Sequence, residues 1–267
     1  MISVVVITKN EEDMVRTCLE SVRWADEIVV ADNGSDDKTM EIVKKYTDQI
    51  VAFNGQDFAT LRNRATEKTR GDWILYVDAD ERVLEPLREE VLELVKKTDK
   101  SAYALSRRNI IFGREERYGP YRHDWVIRLI KKSSLKEWVG RVHEYPKFDG
   151  ALGYTRYSLL HLTHRNIDHF VIKSLEWSKI DAKLRLDAGH PKMTKWRFVR
   201  ILITETFNQG IKRRGFLGGT IGMIDAMLQV FFFYITYVRL WELQQPKPLD
   251  DVYRELDENL LKEKFRY

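Results

Sequence analysis

The residues with the clearest capacity for chemistry are Asp78 and Asp80, near the end of the stretch Trp73-Ile74-Leu75-Tyr76-Val77-Asp78-Ala79-Asp80-Glu81-Arg82. The apolar run after Gly71-Asp72 reads as a buried strand that stops abruptly in acids. Strand side chains alternate faces, so both carboxylates project to one side, with Cα atoms about 6.6 Å apart. That gap is wide for two ligands of one Mg²⁺, whose oxygens sit about 2.1 Å from the ion. It suits one carboxylate on a metal and the other on a sugar or ribose hydroxyl. The competing reading is a loop acid pair that caps the helix after Leu84.

The elements that position this stretch follow a regular rhythm. Ile2 to Ile7 is a β-branched strand, and Glu11, Glu12 and Asp13 are expected as first-turn acids of a helix whose apolar face is Met14, Val15, Cys18, Leu19 and Val22. A strand over Glu27–Ala31, a helix over Lys38–Tyr46, a short strand over Gln49–Phe53 and a helix over Phe58–Lys68 lead to the strand Trp73–Val77. Strand starts recur roughly every 24 residues with a helix between each pair, the pattern of a parallel sheet wound by right-handed crossovers. Ligands of such sheets bind beyond the carboxyl ends of the strands. Polar residues gather at those ends: Thr8 and Asn10, Asp32 and Asn33, Asp78 and Asp80. Neither G-x-G-x-x-G nor a Walker lysine motif is present, which leaves a mononucleotide with a metal-neutralised diphosphate as the natural ligand.

Composition narrows the classes. With 267 residues, 43% of them hydrophobic, the chain can hold one large domain, or a medium domain with an appendage. Charges of both signs are mixed to a net +4, which does not by itself point to nucleic acid. The single Cys18 excludes an internal disulfide or a multi-cysteine zinc site, and reads as a buried structural thiol. Met1-Ile2-Ser3-Val4 lacks the basic region of a signal peptide and is expected to be a strand of a cytoplasmic protein.

Val4-Val5-Val6-Ile7-Thr8-Lys9-Asn10-Glu11-Glu12, Ile28-Val29-Val30-Ala31-Asp32-Asn33-Gly34-Ser35, Arg62-Asn63 and Gly71 to Glu81 together resemble the family 2 glycosyltransferases of GT-A fold. More closely, they resemble the branch of bacterial lipopolysaccharide-core β-1,4-glucosyltransferases. The resemblance implies an α/β, Rossmann-like, mostly parallel sheet wound by helices over residues 1–165, followed by a helical, membrane-associating region over 166–267. It implies that Thr8, Asn10 and Glu11 line the nucleotide pocket, although each could equally cap a helix. Asp32 would accept a hydrogen bond from the uracil or pyrimidine edge. Asp80 would ligate Mg²⁺ or Mn²⁺ while Asp78 contacts ribose or donor sugar. Arg62 and Asn63 would help hold the donor, with a surface ion pair to Glu67 or Asp57 as the plain alternative for Arg62.

Farther along, Ala102–Ile111, Trp125–Ile130 and Leu135–Val139 read as strands, Asn109–Gly119 as a polar hairpin region, and Arg128-Leu129-Ile130 resembles the family's Arg-Leu-Phe segment. An inverting transferase needs a base for the attacking hydroxyl. The family supplies an acid after these strands, and Glu144 matches it; pairing with Arg141 or Lys147 is the alternative. His143 beside it reads as a packing or hydrogen-bonding residue. His161 fits the family's histidine that stands about twelve residues before a helical lysine, here Lys173, and is favoured over His164 as a metal or diphosphate ligand.

From Asn166 the chain turns helical. Lys192, Lys195, Arg197, Arg200, Lys212, Arg213 and Arg214 face the lone acid Glu205, with Trp196, Phe198, Ile201, Leu202 and Phe207 interleaved. Gly215–Trp241 approaches the roughly 20 residues that span a bilayer, but Asp225 and Gln229 interrupt it, which favours a helix in the interface or packed on its own domain. An ordinary helical lid is the alternative. Gly215-Phe216-Leu217-Gly218-Gly219 matches a family segment whose fourth residue is often acidic; here it is glycine.

The expected function is metal-dependent, inverting transfer of a sugar, glucose foremost, from a UDP-sugar to a lipid-linked glycan such as lipopolysaccharide core, on the cytoplasmic face of the inner membrane. A polyprenyl-linked acceptor is the nearest variant. A sugar-nucleotide-forming nucleotidyltransferase would need a glycine-rich, arginine-containing loop after the first strand, which Thr8-Lys9-Asn10-Glu11 lacks. A non-catalytic membrane or nucleic-acid adaptor would leave the three strand-end acids unexplained.

Overall fold

Strand β1, Ile2–Thr8, buries all seven of its side chains because it lies inside a sheet covered on both faces. It pairs in parallel with β2 (Glu27–Asp32) and β4 (Trp73–Asp78), and β2 pairs in parallel with β3 (Ile50–Ala52). The linking helices are α1 (Val15–Ser21), α2 (Thr39–Val43) and α3 (Phe58–Lys68). Period-two alternation sorts the strands onto two cores. Val4, Val6, Leu75 and Val77 pack with Leu19 and Leu87, while Val5, Ile7, Ile74 and Tyr76 pack with Leu61 and Trp138. Register then fixes the site: Thr8 lies opposite Asp32 and Ile7 opposite Asp78, so the polar ends of β1, β2 and β4 emerge level at one edge.

The computed structural model describes residues 1–53, 55, 58–97, 99–119, 124–140 and 144–262. It divides into two compact units, Met1–Arg165 and Asn166–Tyr267. Past β4 the first unit adds β5 (Glu81–Arg82), α4 (Glu85–Leu94), β6 (Ala102–Ile111), β7 (Arg114–Glu116), β8 (Trp125–Lys131), β9 (Leu135–Val139), β10 (Tyr145–Phe148), β11 (Leu152–Tyr154) and β12 (Leu159–Leu162). The sheet becomes mixed here. β8 is antiparallel to β4 and β6, and β12 runs parallel to β6 and antiparallel to β5.

Two local expectations change. Helix α1 begins at Val15 with no acid in its first turn, so Glu11, Glu12 and Asp13 precede it. Their backbone is held from outside: Glu11 N donates to Thr39 Oγ1 (2.8 Å) and Glu12 N to Asp37 Oδ2 (3.1 Å), which laces the loop after β1 to the loop after β2. The strand also ends at Asp78, and Ala79-Asp80 form a turn, so the two acids do not project from one strand face.

At the opposite edge of the sheet, Glu27 is fully enclosed and satisfied by Ser3 Oγ (2.5 Å), Arg70 N (2.7 Å), Arg70 Nε (2.8 Å) and Gln49 Nε2 (3.0 Å). Burial alone would raise its pKa, but these donors outweigh burial and pull it down to about 2. A depressed folded value means stabilisation that is full above the unfolded carboxyl's range and is lost as pH falls from there through about 2. Glu27→Gln is therefore expected to lower Tm at pH 7 and to flatten the Tm–pH curve between about 5 and 2, measured by circular dichroism.

The second unit is helical: α5 (Ile167–Asp187), α6 (Lys195–Thr206), a π-helical stretch Phe207–Lys212, α7 (Gly219–Leu243) and α8 (Leu249–Lys262). Asn166 caps α5 by accepting from His169 N (2.8 Å). The turn at Gly215 needs glycine, since a Cβ there would come 2.6 Å from the Gln209 carbonyl oxygen. Helix α7 is long and apolar enough to cross a membrane by length and composition. It also packs on α5 and α6 and buries Asp225 and Thr236.

Candidate active site

The residues at the ends of β1 and β2 form a laced pair of loops. Asp32 ends β2 buried, and its carboxylate accepts from Gly34 N (3.2 Å), Ser35 N (3.1 Å) and Ser35 Oγ (2.5 Å). Asn10 takes a left-handed backbone, φ 53°, which few non-glycine residues adopt. Its side chain supplies the compensation: Oδ1 accepts from Asp36 N (2.9 Å) while its backbone N donates to Ser35 Oγ (2.9 Å). Glu11 pairs with Arg165 (3.1 Å). Thr8 Oγ1 is buried with no hydrogen-bond partner among the described residues, a costly state that an incoming polar group would relieve. The N-cap of α1 is Met14, which makes no side-chain cap hydrogen bond.

Beside these loops lies a cluster of carboxylates and guanidiniums. Asp78 Oδ1 accepts from Arg62 Nη2 (2.8 Å), and Oδ2 accepts from Arg128 and faces Arg107 (3.7 Å). Burial would raise the Asp78 pKa; the guanidiniums of Arg128, Arg62 and Arg107 overcome this and hold it well below the usual carboxylate range. Glu81, wholly buried, faces Arg107 Nε at 2.8 Å and accepts from Asp78 N (2.9 Å). Arg62 is no surface residue. It is fully buried on α3, its guanidinium 4.9 Å from the Trp138 ring centre, and it donates from Nη2 to Glu144 Oε1 (3.2 Å) as well as to Asp78. Glu144 thus pairs with Arg62, while Lys147 pairs with Glu137 (2.8 Å). Asp57, Arg141 and His143 lie outside the described residues.

Asn63 departs from expectation. Its Nδ2 donates to Trp138 O (3.0 Å) and its Oδ1 accepts from Trp138 N (2.7 Å). Both ends of the amide are committed to holding β9 against α3, so Asn63 is a clamp and is not brought to the charged cluster.

Asp80 faces His161, with Oδ2 3.4 Å from Nε2. The turn that carries Asp80 is stapled by Arg82, whose Nη1 donates to Ala79 O (2.8 Å) and Glu81 O (2.7 Å) and whose Nη2 donates to Met14 O (2.9 Å). The tautomer of His161 follows from its other nitrogen. Asn109 Nδ2 donates to Asp124 Oδ2 (3.1 Å), so the Asn109 atom 2.5 Å from His161 Nδ1 is its carbonyl oxygen, and Nδ1–H donates. In the neutral imidazole the Nε2 lone pair therefore points at a carboxylate oxygen. Two such acceptors face each other favourably only across a cation or proton, and an oxygen–imidazole pair suits a first-row transition ion such as Mn²⁺ better than Mg²⁺, which takes oxygen ligands. Among the described residues no three His, Cys, Asp or Glu side chains converge.

Asn109 and Asp124 escaped the sequence reading, as did the roles of Arg107, Arg128 and Glu81. The available signal was a pair of polar residues, Arg107 and Asn109, two apart on the strand face that otherwise carries Tyr103, Leu105 and Ile111, and β12 brings His161 directly opposite Asn109. Asn109→Leu removes the acceptor that orients His161. It is expected to weaken Mn²⁺ binding in the presence of UDP by about 10- to 100-fold, measured by electron paramagnetic resonance of free Mn²⁺.

The model of glycosyl transferase family 2 matches residues 3–159, more than half of the chain, and the chain belongs to that family. It is 27% identical over 256 residues to the lipopolysaccharide core biosynthesis glycosyltransferase LpsC of Rhizobium meliloti, covering 90% of this chain and 92% of that one. An uncharacterized glycosyltransferase of Rickettsia bellii is 26% identical over 91% of this chain and 86% of its own. Among solved structures, glucosyl-3-phosphoglycerate synthase of Mycobacterium tuberculosis, determined with Mn²⁺ and UDP, matches with TM-score 0.36 and 21% identity over 40% of this chain and 44% of that chain.

Proposed function

We propose that this glycosyltransferase is metal-dependent and inverting, and moves a sugar, glucose foremost, from a UDP-sugar to a hydroxyl of a lipid-linked glycan such as lipopolysaccharide core, at the cytoplasmic face of the membrane. The observation that carries the reading is Arg62, which joins Asp78 at the end of β4 to Glu144 in one buried network. Donor-side acid and candidate base are thereby held in fixed relation. The full-length similarity to a lipopolysaccharide-core enzyme supports the acceptor class.

In this reading Thr8, Asn10, Glu11 and Asp32 receive the nucleotide, with Asp32 turned to the base edge. Asp78 keeps a partly exposed side chain, so accepting from a donor hydroxyl is compatible with its arginine clamp. Asp80 and His161 would hold Mg²⁺ or Mn²⁺, which when bound supplies positive charge against the developing diphosphate leaving group. Glu144 takes the proton of the acceptor hydroxyl. The hydroxyl oxygen then bonds to the anomeric carbon on the face opposite the diphosphate, and the carbon–oxygen bond to the diphosphate breaks with its electron pair leaving on the nucleotide. Arg62 fixes one Glu144 oxygen, so the carboxylate is oriented before the acceptor arrives.

A thermal-shift panel of nucleotide sugars with Mn²⁺ or Mg²⁺ tests the donor class. A ligand at about 100 times its Kd adds about 2.7 kcal/mol of stability, a rise in Tm of several degrees. Selective stabilisation by one UDP-sugar is expected; no response to any nucleotide would refute the reading.

A further inference from the structure

Helix α6 carries two apolar faces, and only one of them is used. Phe198 and Ile201 face inward, Ile201 only 8% exposed in a core with Ala182, Met193 and Leu240. Trp196, Val199, Ile203 and Phe207 follow at steps of three and four residues along the opposite side, where Trp196 is 69%, Ile203 63% and Phe207 53% exposed. This stripe has a definite electrostatic frame. At about 100° per residue Lys195 falls on one side of it and Arg200 on the other, both exposed. From Ala188 to Ile224 the single acid is Glu205, which sits partly buried and accepts from Gln209 Nε2 (3.3 Å). The helix therefore offers aromatic and aliphatic groups to its surroundings, rimmed by cations and free of exposed carboxylates.

We infer that the face formed by Trp196, Val199 and Ile203 of α6 and Phe207 at the start of the π-helical stretch docks on a bilayer surface rich in anionic headgroups, with the aromatic groups at the headgroup–acyl boundary and Lys195 and Arg200 on lipid phosphates. The charge pattern selects this occupant. A second copy of the chain meeting this face about a twofold axis would set Lys and Arg against Lys and Arg, with no acid to relieve them. An interfacial helix has this composition: apolar and aromatic residues on one side, Lys and Arg flanking, and a charged rim that anionic lipid attracts. The inference deepens the proposed lipid-linked acceptor and rests on that reading for its purpose: it would bring the catalytic unit to the surface where such acceptors lie.

Flotation of the full chain with vesicles tests it, using phosphatidylcholine alone or mixed with phosphatidylglycerol. The protein is expected to float with the phosphatidylglycerol vesicles, and less so as salt is raised. The triple variant W196S/I203S/F207S, at exposed positions, and K195E/R200E are each expected to bind about tenfold or more weakly, with unchanged circular dichroism. Wild-type protein that stays unbound, or variants that float undiminished, would overturn the inference. A wild-type dimer that the triple variant converts to monomer, seen by light scattering without vesicle binding, would reassign the face to a copy of the chain. The response of the same variants to UDP and Mn²⁺ in a thermal shift reports the catalytic reading separately, so either can fail alone.

Discussion

Asp80→Ala is expected to cut metal-dependent sugar transfer by roughly 10³-fold, equivalent to about 4 kcal/mol of transition-state stabilisation, with little change in Tm. The two acids of the D-x-D motif predict opposite phenotypes because their surroundings differ. Asp80 faces the lone pair of a histidine that Asn109 and Asp124 hold in place. Removing its carboxylate takes away half of the proposed metal pair. Asp78 is instead the counter-ion of Arg62 and Arg128 inside the sheet edge. Asp78→Ala strands those guanidiniums among buried groups and is expected to cost about 3–5 kcal/mol of stability. Urea unfolding separates the two, alongside transfer measured with saturating Mn²⁺. Asp80→Ala that retains full metal-dependent transfer would remove Asp80 from the metal site.

The difference between these acids marks where sequence reasoning stopped. Near-continuous apolar runs and strand-end polar residues were enough for β1, β2 and β4, because each is buried on both faces and ends in a polar break. The level emergence of Thr8, Asp32 and Asp78 then follows from parallel register. Of the two readings of the acid pair, the loop one comes nearer: the chain leaves the strand at Asp78 and turns, which sends the second acid toward β12. Strands β5 and β12 are two and four residues long and gain their pairing from each other and from β6, distant in sequence, so no periodicity announces them. Arg107 was equally hidden, and Arg128 stood out only as part of a segment resembling the family's; the convergence of β6, β8 and β4 on Asp78 and Glu81 is what makes them buried partners. Asn63 misled for the reverse reason: it adjoins Arg62 in a family motif, but α3 turns the two side chains to different tasks. Arg62 reaches carboxylates, while Asn63 grips the backbone of Trp138.

Glu144 carries the second large expectation. A base held by one guanidinium contact is oriented through one oxygen and works through the other; Arg62 takes Oε1 from both Nε (3.4 Å) and Nη2 (3.2 Å). Glu144→Gln preserves the size of the side chain and an oxygen that can accept from Arg62, but its amide cannot take up a proton. It is expected to lower kcat by about 10²- to 10⁴-fold while the thermal shift with UDP and Mn²⁺ stays at the wild-type value. Arg62→Lys supplies the contrasting case. A lysine keeps the charge but lacks the fork that spans Asp78 and Glu144, so both the base and the buried anion lose their fixed partner. That variant should lose stability as well as kcat, whereas Glu144→Gln should lose kcat alone. If Glu144→Gln transfers sugar at the wild-type rate, the carboxylate that deprotonates the acceptor lies elsewhere, and Arg62 serves only to neutralise Asp78 and Glu144 within the fold.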